Sequence, residues 1–152
     1  MSVPFQPPGY HSVTPYLVVR GAAEALAFYA HAFGAKEKLR IPTGEKIGHA
    51  EILIGDSHVM LADETEDYAS PQALGGTPVS LMVYVANADA VFARARAAGA
   101  KEIRAVADQF YGDRNGVLAD PWGHVWTIAT HVEDVSEEEI ARRLAAMERP
   151  EA

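Results

Sequence analysis

Gly34-Ala35-Lys36-Glu37 returns as Gly99-Ala100-Lys101-Glu102, at an offset of 65 residues (34 to 99), and this repetition decides how the chain is read. Sliding Tyr16–Arg40 along by the same offset matches Val18 with Val83, Ala23 with Ala88 and Ala25 with Ala90, then Ala30 with Ala95 and Ala32 with Ala97. Alanine is common in this chain, so the identities gain weight from the order of elements around them. Val13–Val19 and Val79–Val85 are apolar, β-branched and aromatic runs of strand length. Each leads into an alanine-rich segment, Ala22–Phe33 or Ala88–Ala98, with Leu26, Tyr29 and Phe33 in one and Val91, Ala95 and Ala98 in the other at helical spacing. Gly34 and Gly99 stand where a left-handed C-terminal cap falls.

Strands follow each helix. The first half offers Lys36–Ile41, Ile47–Ile54 and His58–Asp63, the last two joined at Gly55-Asp56-Ser57. The second half offers Lys101–Val106, Gly116–Ala119 and His124–His131, with Asp120-Pro121-Trp122-Gly123 placing Asp, Pro and Gly as a type I turn does. Late in each half the offset reads as 66, so that His58-Val59 meets His124-Val125 and Leu61 meets Thr127. The expected fold is therefore α+β: two tandem βαβββ modules, about 12–63 and 79–131, whose curved mixed sheets surround a shared cleft. Residues 64–78 form the connector. In the tail, Ser136-Glu137-Glu138-Glu139 has a capping-box pattern and opens a helix over 136–148, with Ile140, Leu144 and Met147 as its apolar stripe. One domain spans 1–152.

Composition narrows the function classes. Apolar residues are 49% and charged residues 22%, as in ordinary globular proteins. With no cysteine, disulfides, thiolate metal sites and a cysteine nucleophile drop out. The net charge of −8 repels phosphate backbones, and no basic, aromatic-rich stretch offsets it, so nucleic acid is not an expected partner. No signal-peptide pattern and no apolar run of membrane-spanning length occurs, so the expected location is the cytoplasm, with no membrane partner. No Gly-x-Ser-x-Gly elbow or phosphate-cradling loop occurs either.

Three features together resemble the vicinal oxygen chelate superfamily, which includes glyoxalase I, extradiol dioxygenases and bleomycin-binding proteins: the doubled βαβββ order, Phe28-Tyr29 with Phe33-Gly34 on the first helix, and Asp120-Pro121-Trp122-Gly123-His124 before the last strand. Phe110-Tyr111-Gly112-Asp113-Arg114-Asn115-Gly116 and Thr130-His131-Val132-Glu133-Asp134-Val135 are closer to its PhnB-like branch. The resemblance covers roughly 11–135. It implies a divalent metal held by four His or Glu side chains, one on the first and one on the fourth strand of each module. Those positions fall here on Thr14, Leu61, Ser80 and Thr127. Neutral hydroxyls are weak ligands and leucine is none, so no metal is expected there and no other cofactor is implied.

Six histidines keep a displaced metal site or an acid–base pair open. His49 and Glu51 alternate on one strand and are the candidates, although two such residues at i, i+2 are a weak metal signature and a hydrogen-bonded wall histidine beside a partly solvated glutamate is the favoured reading. Period-two alternation places Thr14, Tyr16, Leu61, Ser80, Met82, Tyr84, Val125, Thr127 and Ala129 on the cleft face. Tyr111 and Arg114 belong to a turn-rich segment near it; Arg114 is either an anion clamp or a salt-bridge partner of Asp113, Glu133 or Asp134. Trp126 falls on the opposite face, as core beneath a helix. Three functions follow: a metal-independent binder of a small organic molecule, which the lining favours; a lyase- or dioxygenase-like enzyme using His49 and Glu51; and a non-catalytic interaction module. Open sheet edges predict a homodimer.

Overall fold

Each half begins with a short strand that feeds a helix, and the helix carries the chain back so that the fourth strand of the module lies parallel to the first. The computed structural model describes residues 2–148. In the first half Tyr16–Val19 (β1) leads to Ala22–Phe33 (α1), then to Lys36–Thr43 (β2), Lys46–Ile54 (β3) and Ser57–Asp63 (β4). A four-residue helix, Pro71–Leu74 (α2), lies in the connector. The second half runs Ser80–Tyr84 (β5), Ala88–Ala97 (α3), Lys101–Asp108 (β6), Asp113–Ala119 (β7) and Val125–His131 (β8), followed by Glu137–Met147 (α4). The two four-stranded sheets have the orders β1-β4-β3-β2 and β5-β8-β7-β6. In each, the first-to-last pair is parallel and the others antiparallel, which is the doubled mixed-sheet α+β fold that the repeat predicts. No helix of the described residues is long and apolar enough to cross a membrane.

The departures from expectation have local causes. β1 starts at Tyr16 rather than Val13 because Pro15 has no N–H to give; its carbonyl accepts from Met60 N at 2.9 Å instead. α2 was not expected, yet its signal is in the sequence: Ser70 accepts from Ala73 N at 3.2 Å, and Pro71 occupies the first turn. The apolar stripe of α4 is only partly covered by the described residues, with Ile140 half-buried. Ser136 caps the helix and Arg143 ties it to the Phe110 carbonyl at 3.0 Å, but Leu144 and Met147 stay 40% and 66% exposed.

The core lies where the helix-facing sides of the two sheets meet α1 and α3. Small Ala22, Ala25 and Ala32 are buried on α1 and Ala88 and Ala95 on α3, and Arg94 of α3 donates to the His31 and Ala32 carbonyls at the C-terminus of α1. Around them Phe28, Tyr29, Phe33, Trp122 and Trp126 form an aromatic cluster, with Phe33 and Trp126 centroids 4.8 Å apart. Trp126 is core, as expected, at 2% exposure. The carboxylate of buried Asp120 ties this cluster together. It accepts from the Tyr29 hydroxyl at 2.5 Å, the Trp126 indole at 2.9 Å, and the backbone N–H groups of Trp122 and His124 at 3.0 Å.

Strand register corrects one part of the repeat alignment. Tyr16 pairs with Met60 as Met82 pairs with Thr127, so the last strands are offset by 67 (60 to 127), not 66. The longer Asp120–Gly123 turn absorbs the extra residue. A shift of one residue exchanges faces. Leu61, expected in the cleft, instead lies beside Leu17 and Ala50 in the core with no exposure.

Replacing Asp120 with alanine leaves four donors, three of them buried, without an acceptor and is expected to cost on the order of 3–5 kcal/mol. Trp126→Ala is expected to cost about 3–5 kcal/mol as a large buried aromatic cut to a methyl. Urea denaturation checks both; a loss below about 1 kcal/mol for either would contradict this account of the core.

Candidate functional site

Away from the helices each sheet has an open face. On the first sheet it carries the row Tyr16, Met60, Glu51, Leu39, with His49 opposite Ile41; on the second, the row Met82, Thr127, Val117, Arg104. Tyr16, Ile41, Met82 and Tyr84 are 47–60% exposed there, unusual for large apolar side chains gathered on two faces.

Between the modules runs a groove of about 560 Å³. Its apolar floor includes Phe33, Ile54 and Trp126; β5 forms one side; His11, Val13 and Pro15, from the segment entering β1, and His58 contribute to the other. That segment is held down through Tyr10, whose ring stacks on His58 at 3.9 Å and whose hydroxyl donates to the Glu51 carboxylate. Gly9, at φ +83°, lets the backbone turn close over His58, whose Nδ1 lies 3.2 Å from the Gly9 carbonyl.

His49 and Glu51 do come together, on the open face beside the groove. Tyr16 Oη and His49 Nδ1 share a hydrogen bond of 2.8 Å, His49 Nε2 lies 3.6 Å from a Glu51 oxygen, and Tyr10 binds the other oxygen. Burial and then the Glu51 carboxylate push the Tyr10 phenol up to about 12. Burial, followed by Tyr68 and Glu51, raises Tyr16. Both phenols therefore remain proton donors at neutral pH. Tyr16 and Tyr10 thereby orient the His49 imidazole and the Glu51 carboxylate side by side, 3.6 Å apart, as an acid–base pair would stand.

The other expected residues are scattered. Thr14 bonds locally, 3.5 Å from the His11 carbonyl, and Ser80 is exposed at the start of β5. Met82 lines the groove; Thr127 is its register partner on β8. Tyr111 accepts from Asn115 at 2.8 Å. Arg114 is a salt-bridge residue, but its partners are Asp89, through two bonds of 2.7 and 2.9 Å, and Asp108 at 3.2 Å. Alternation along β7 explains the change: Asp113 faces Tyr84 and His131, while Arg114 points towards the start of α3. Glu133 pairs with Arg143 instead, and Asp134 with His131.

At the family's metal positions the corrected set is Thr14, Met60, Ser80 and Thr127, which are two kinds of hydroxyl and a thioether. These do not fit a hard divalent cation. Among the described residues no three His, Asp or Glu side chains converge as a metal site requires. The groove-lining residues His11, Phe33, Ile54, Leu81 and Val83 were not anticipated from the sequence. Alternation identifies the faces of strands, whereas this groove follows their edges.

The sequence profile of the Glyoxalase/Bleomycin resistance protein/Dioxygenase superfamily matches residues 9–128. Uncharacterized protein Rv0887c of Mycobacterium tuberculosis is 40% identical over 141 residues, covering 89% of this chain and 83% of its own length. Among solved structures, TioX from Micromonospora sp. ML1 is 27% identical with a TM-score of 0.64, over 83% of this chain and all 100% of that one. The PhnB protein from Bacillus cereus, 19% identical, shares the fold at a TM-score of 0.62 over 79% of this chain and 99% of its own.

His131 provides a test of the site's surroundings. Hydrogen bonds to Asp134 and then Asp113 raise its pKa above the ordinary 6.5. Its contribution to stability is therefore complete below the unfolded value near 6.5 and fades as pH rises through the higher folded value. Melting temperature should fall across that window in the native protein and less so in His131→Gln; parallel profiles would show that the contacts contribute nothing.

Proposed function

This chain belongs to the Glyoxalase/Bleomycin resistance protein/Dioxygenase superfamily, and from that premise we propose that it binds a small organic molecule in the groove between its modules, without the metal of its catalytic relatives. The observation that carries this reading is the groove itself. Its volume of about 560 Å³ lies within the ordinary range for small-molecule sites, and its floor is built from Phe33, Ile54 and Trp126. The donor set at the metal positions supports the same reading, since Thr14, Met60, Ser80 and Thr127 suit hydrogen bonding and apolar contact better than cation chemistry.

The protein acts as a homodimer in this proposal. Tyr16 and Ile41 on one open face, and Met82 and Tyr84 on the other, are too exposed and too apolar to suit a lone chain in water. A second reading, acid–base catalysis, is favoured specifically by His49 and Glu51 lying 3.6 Å apart, with Tyr16 hydrogen-bonded to the imidazole and Tyr10 to the carboxylate. In that case His49 exchanges the proton and Glu51 orients it, and small ketones incubated in D₂O should gain deuterium with the native protein but not with His49→Gln.

For the binding reading, neutral aromatic compounds added to ¹⁵N-labelled protein should shift the amide resonances of Leu81, Val83 and Trp126. Ala86→Trp, which fills the groove from its rim, should weaken them at least about tenfold, equivalent to 1.4 kcal/mol. Unchanged affinity in that variant would exclude the groove. Light scattering should give twice the 16.4 kDa chain mass at micromolar concentration, and Ile41→Asp should lower it. A native mass of one chain would overturn the dimer.

A further inference from the structure

Four strands form the edges of the two sheets, and they are finished in two different ways. β2 carries Lys36, Lys38, Arg40 and Pro42 and shifts register twice; β6 carries Lys101, Arg104 and Asp108 and also shifts twice. Charges, proline and bulges are the devices that keep an edge from pairing. β1, Tyr16-Leu17-Val18-Val19, and β5, Ser80-Leu81-Met82-Val83-Tyr84, have none of them. Part of the β1 edge is already used, because the Val18 carbonyl lies 2.9 Å from His124 Nε2 and accepts from it. Among the described residues the β5 edge has no such stitch.

The open side of β5 looks into the groove. Residues 81–86 line it consecutively, as a strand does when it presents its edge, whereas a strand presenting a face shows alternate residues. The Val85 N–H donates to the Ala129 carbonyl at 2.8 Å, which directs the backbone of Val85, and by alternation that of Leu81 and Val83, towards β8. The N–H and C=O groups of Met82 and Tyr84 therefore point to the unpaired side. Met82 and Tyr84 are themselves exposed, so these backbone donors and acceptors are open to an incoming partner strand or ligand.

His58 supplies a further acceptor. A carbonyl only accepts, so the contact with Gly9 requires the proton on Nδ1, and neutral His58 then has a lone pair on Nε2. Among the described residues that nitrogen has no hydrogen-bond partner, and His58 lines the groove. Neither lysine nor arginine lines it, Asp56 is its one acidic residue, and the chain carries −8 overall, so carboxylates and phosphates are disfavoured.

We propose that the groove takes a neutral ligand with an extended secondary-amide unit, which pairs with the Met82–Tyr84 edge of β5 and donates an N–H to His58 Nε2. Its apolar body rests on Phe33 and Trp126. This deepens the groove-binding reading above and rests on it. It also assigns His58 a specificity role: an acceptor that selects ligands with an N–H.

The test titrates the full-length ¹⁵N-labelled protein with three probes: N-acetylphenylalanine N-methylamide, the corresponding methyl ester, which lacks one N–H, and acetophenone, which has no amide. The methylamide should bind at least about tenfold more tightly than the ester, and the Met82 and Tyr84 amide protons should move downfield. His58→Phe keeps the stack on Tyr10 and should weaken the methylamide about fivefold or more while leaving acetophenone unchanged. Equal affinity for amide and ester overturns the proposal on the native protein, whether or not the variant folds. Unchanged methylamide affinity in a folded His58→Phe overturns the role of His58. In both cases acetophenone shifts at Leu81 and Trp126 leave the groove reading standing; if no probe perturbs the groove, that reading falls and this one with it.

Discussion

The Asp120 carboxylate is the constraint on which the rest of the molecule depends. It is buried with no cation beside it, and hydrogen bonds from Tyr29, Trp126, Trp122 and His124 take the place of water. Those donors come from α1, from the turn and from β8, so a single carboxylate sets the distance between the first module's helix and the second module's last strand. Burial, and then the Asp120 carboxylate beside it, hold the Tyr29 phenol well above its ordinary pKa, so the hydroxyl keeps its proton and goes on donating to Asp120. The groove floor is a consequence, since Phe33 and Trp126 sit where this joint puts them.

Most of the fold was legible because it is written twice. Helical periodicity, the glycine caps and the Asp-Pro-x-Gly turn each point to the same architecture, and α1 matches its predicted span, Ala22–Phe33, residue for residue. The site was less legible. Assigning Leu61 to the cleft required the parity of an offset across two turns of different length, and one residue sufficed to send it into the core. His58 and His124 look equivalent in sequence for the same reason, yet His124 bonds to the β1 backbone and His58 to the N-terminal segment. Arg114 was recognisable as a charged residue needing a partner, but its partner Asp89 is 25 residues away on α3 and only the packing of that helix brings it near. His49 and Glu51 were identified correctly as neighbours; what alternation could not supply was Tyr10, which arrives from outside both modules.

The two halves have diverged where their surroundings differ. On the first sheet, the open face bears a tyrosine–histidine–glutamate chain covered at one end by the N-terminal segment. On the second, the corresponding region bears Asp113 between Tyr84 and His131, without such a cover. Outer edges are charged and bulged in both halves, while the inner edges stay plain. Protection at the outside and openness at the inside set the junction apart, and it is also the region that neither module could form alone.

That junction has a consequence for biosynthesis. Tyr29 and Asp120 are 91 residues apart, and Phe28, Tyr29 and Phe33 have no complete cover until Trp122 and Trp126 exist. As the chain leaves the ribosome, the first module is fully synthesised while one side of its helix still exposes three aromatic rings to solvent or to whatever holds nascent chains. Closure of the first module's core is therefore postponed until the Asp120–Trp126 stretch has been made, because no earlier segment supplies those contacts.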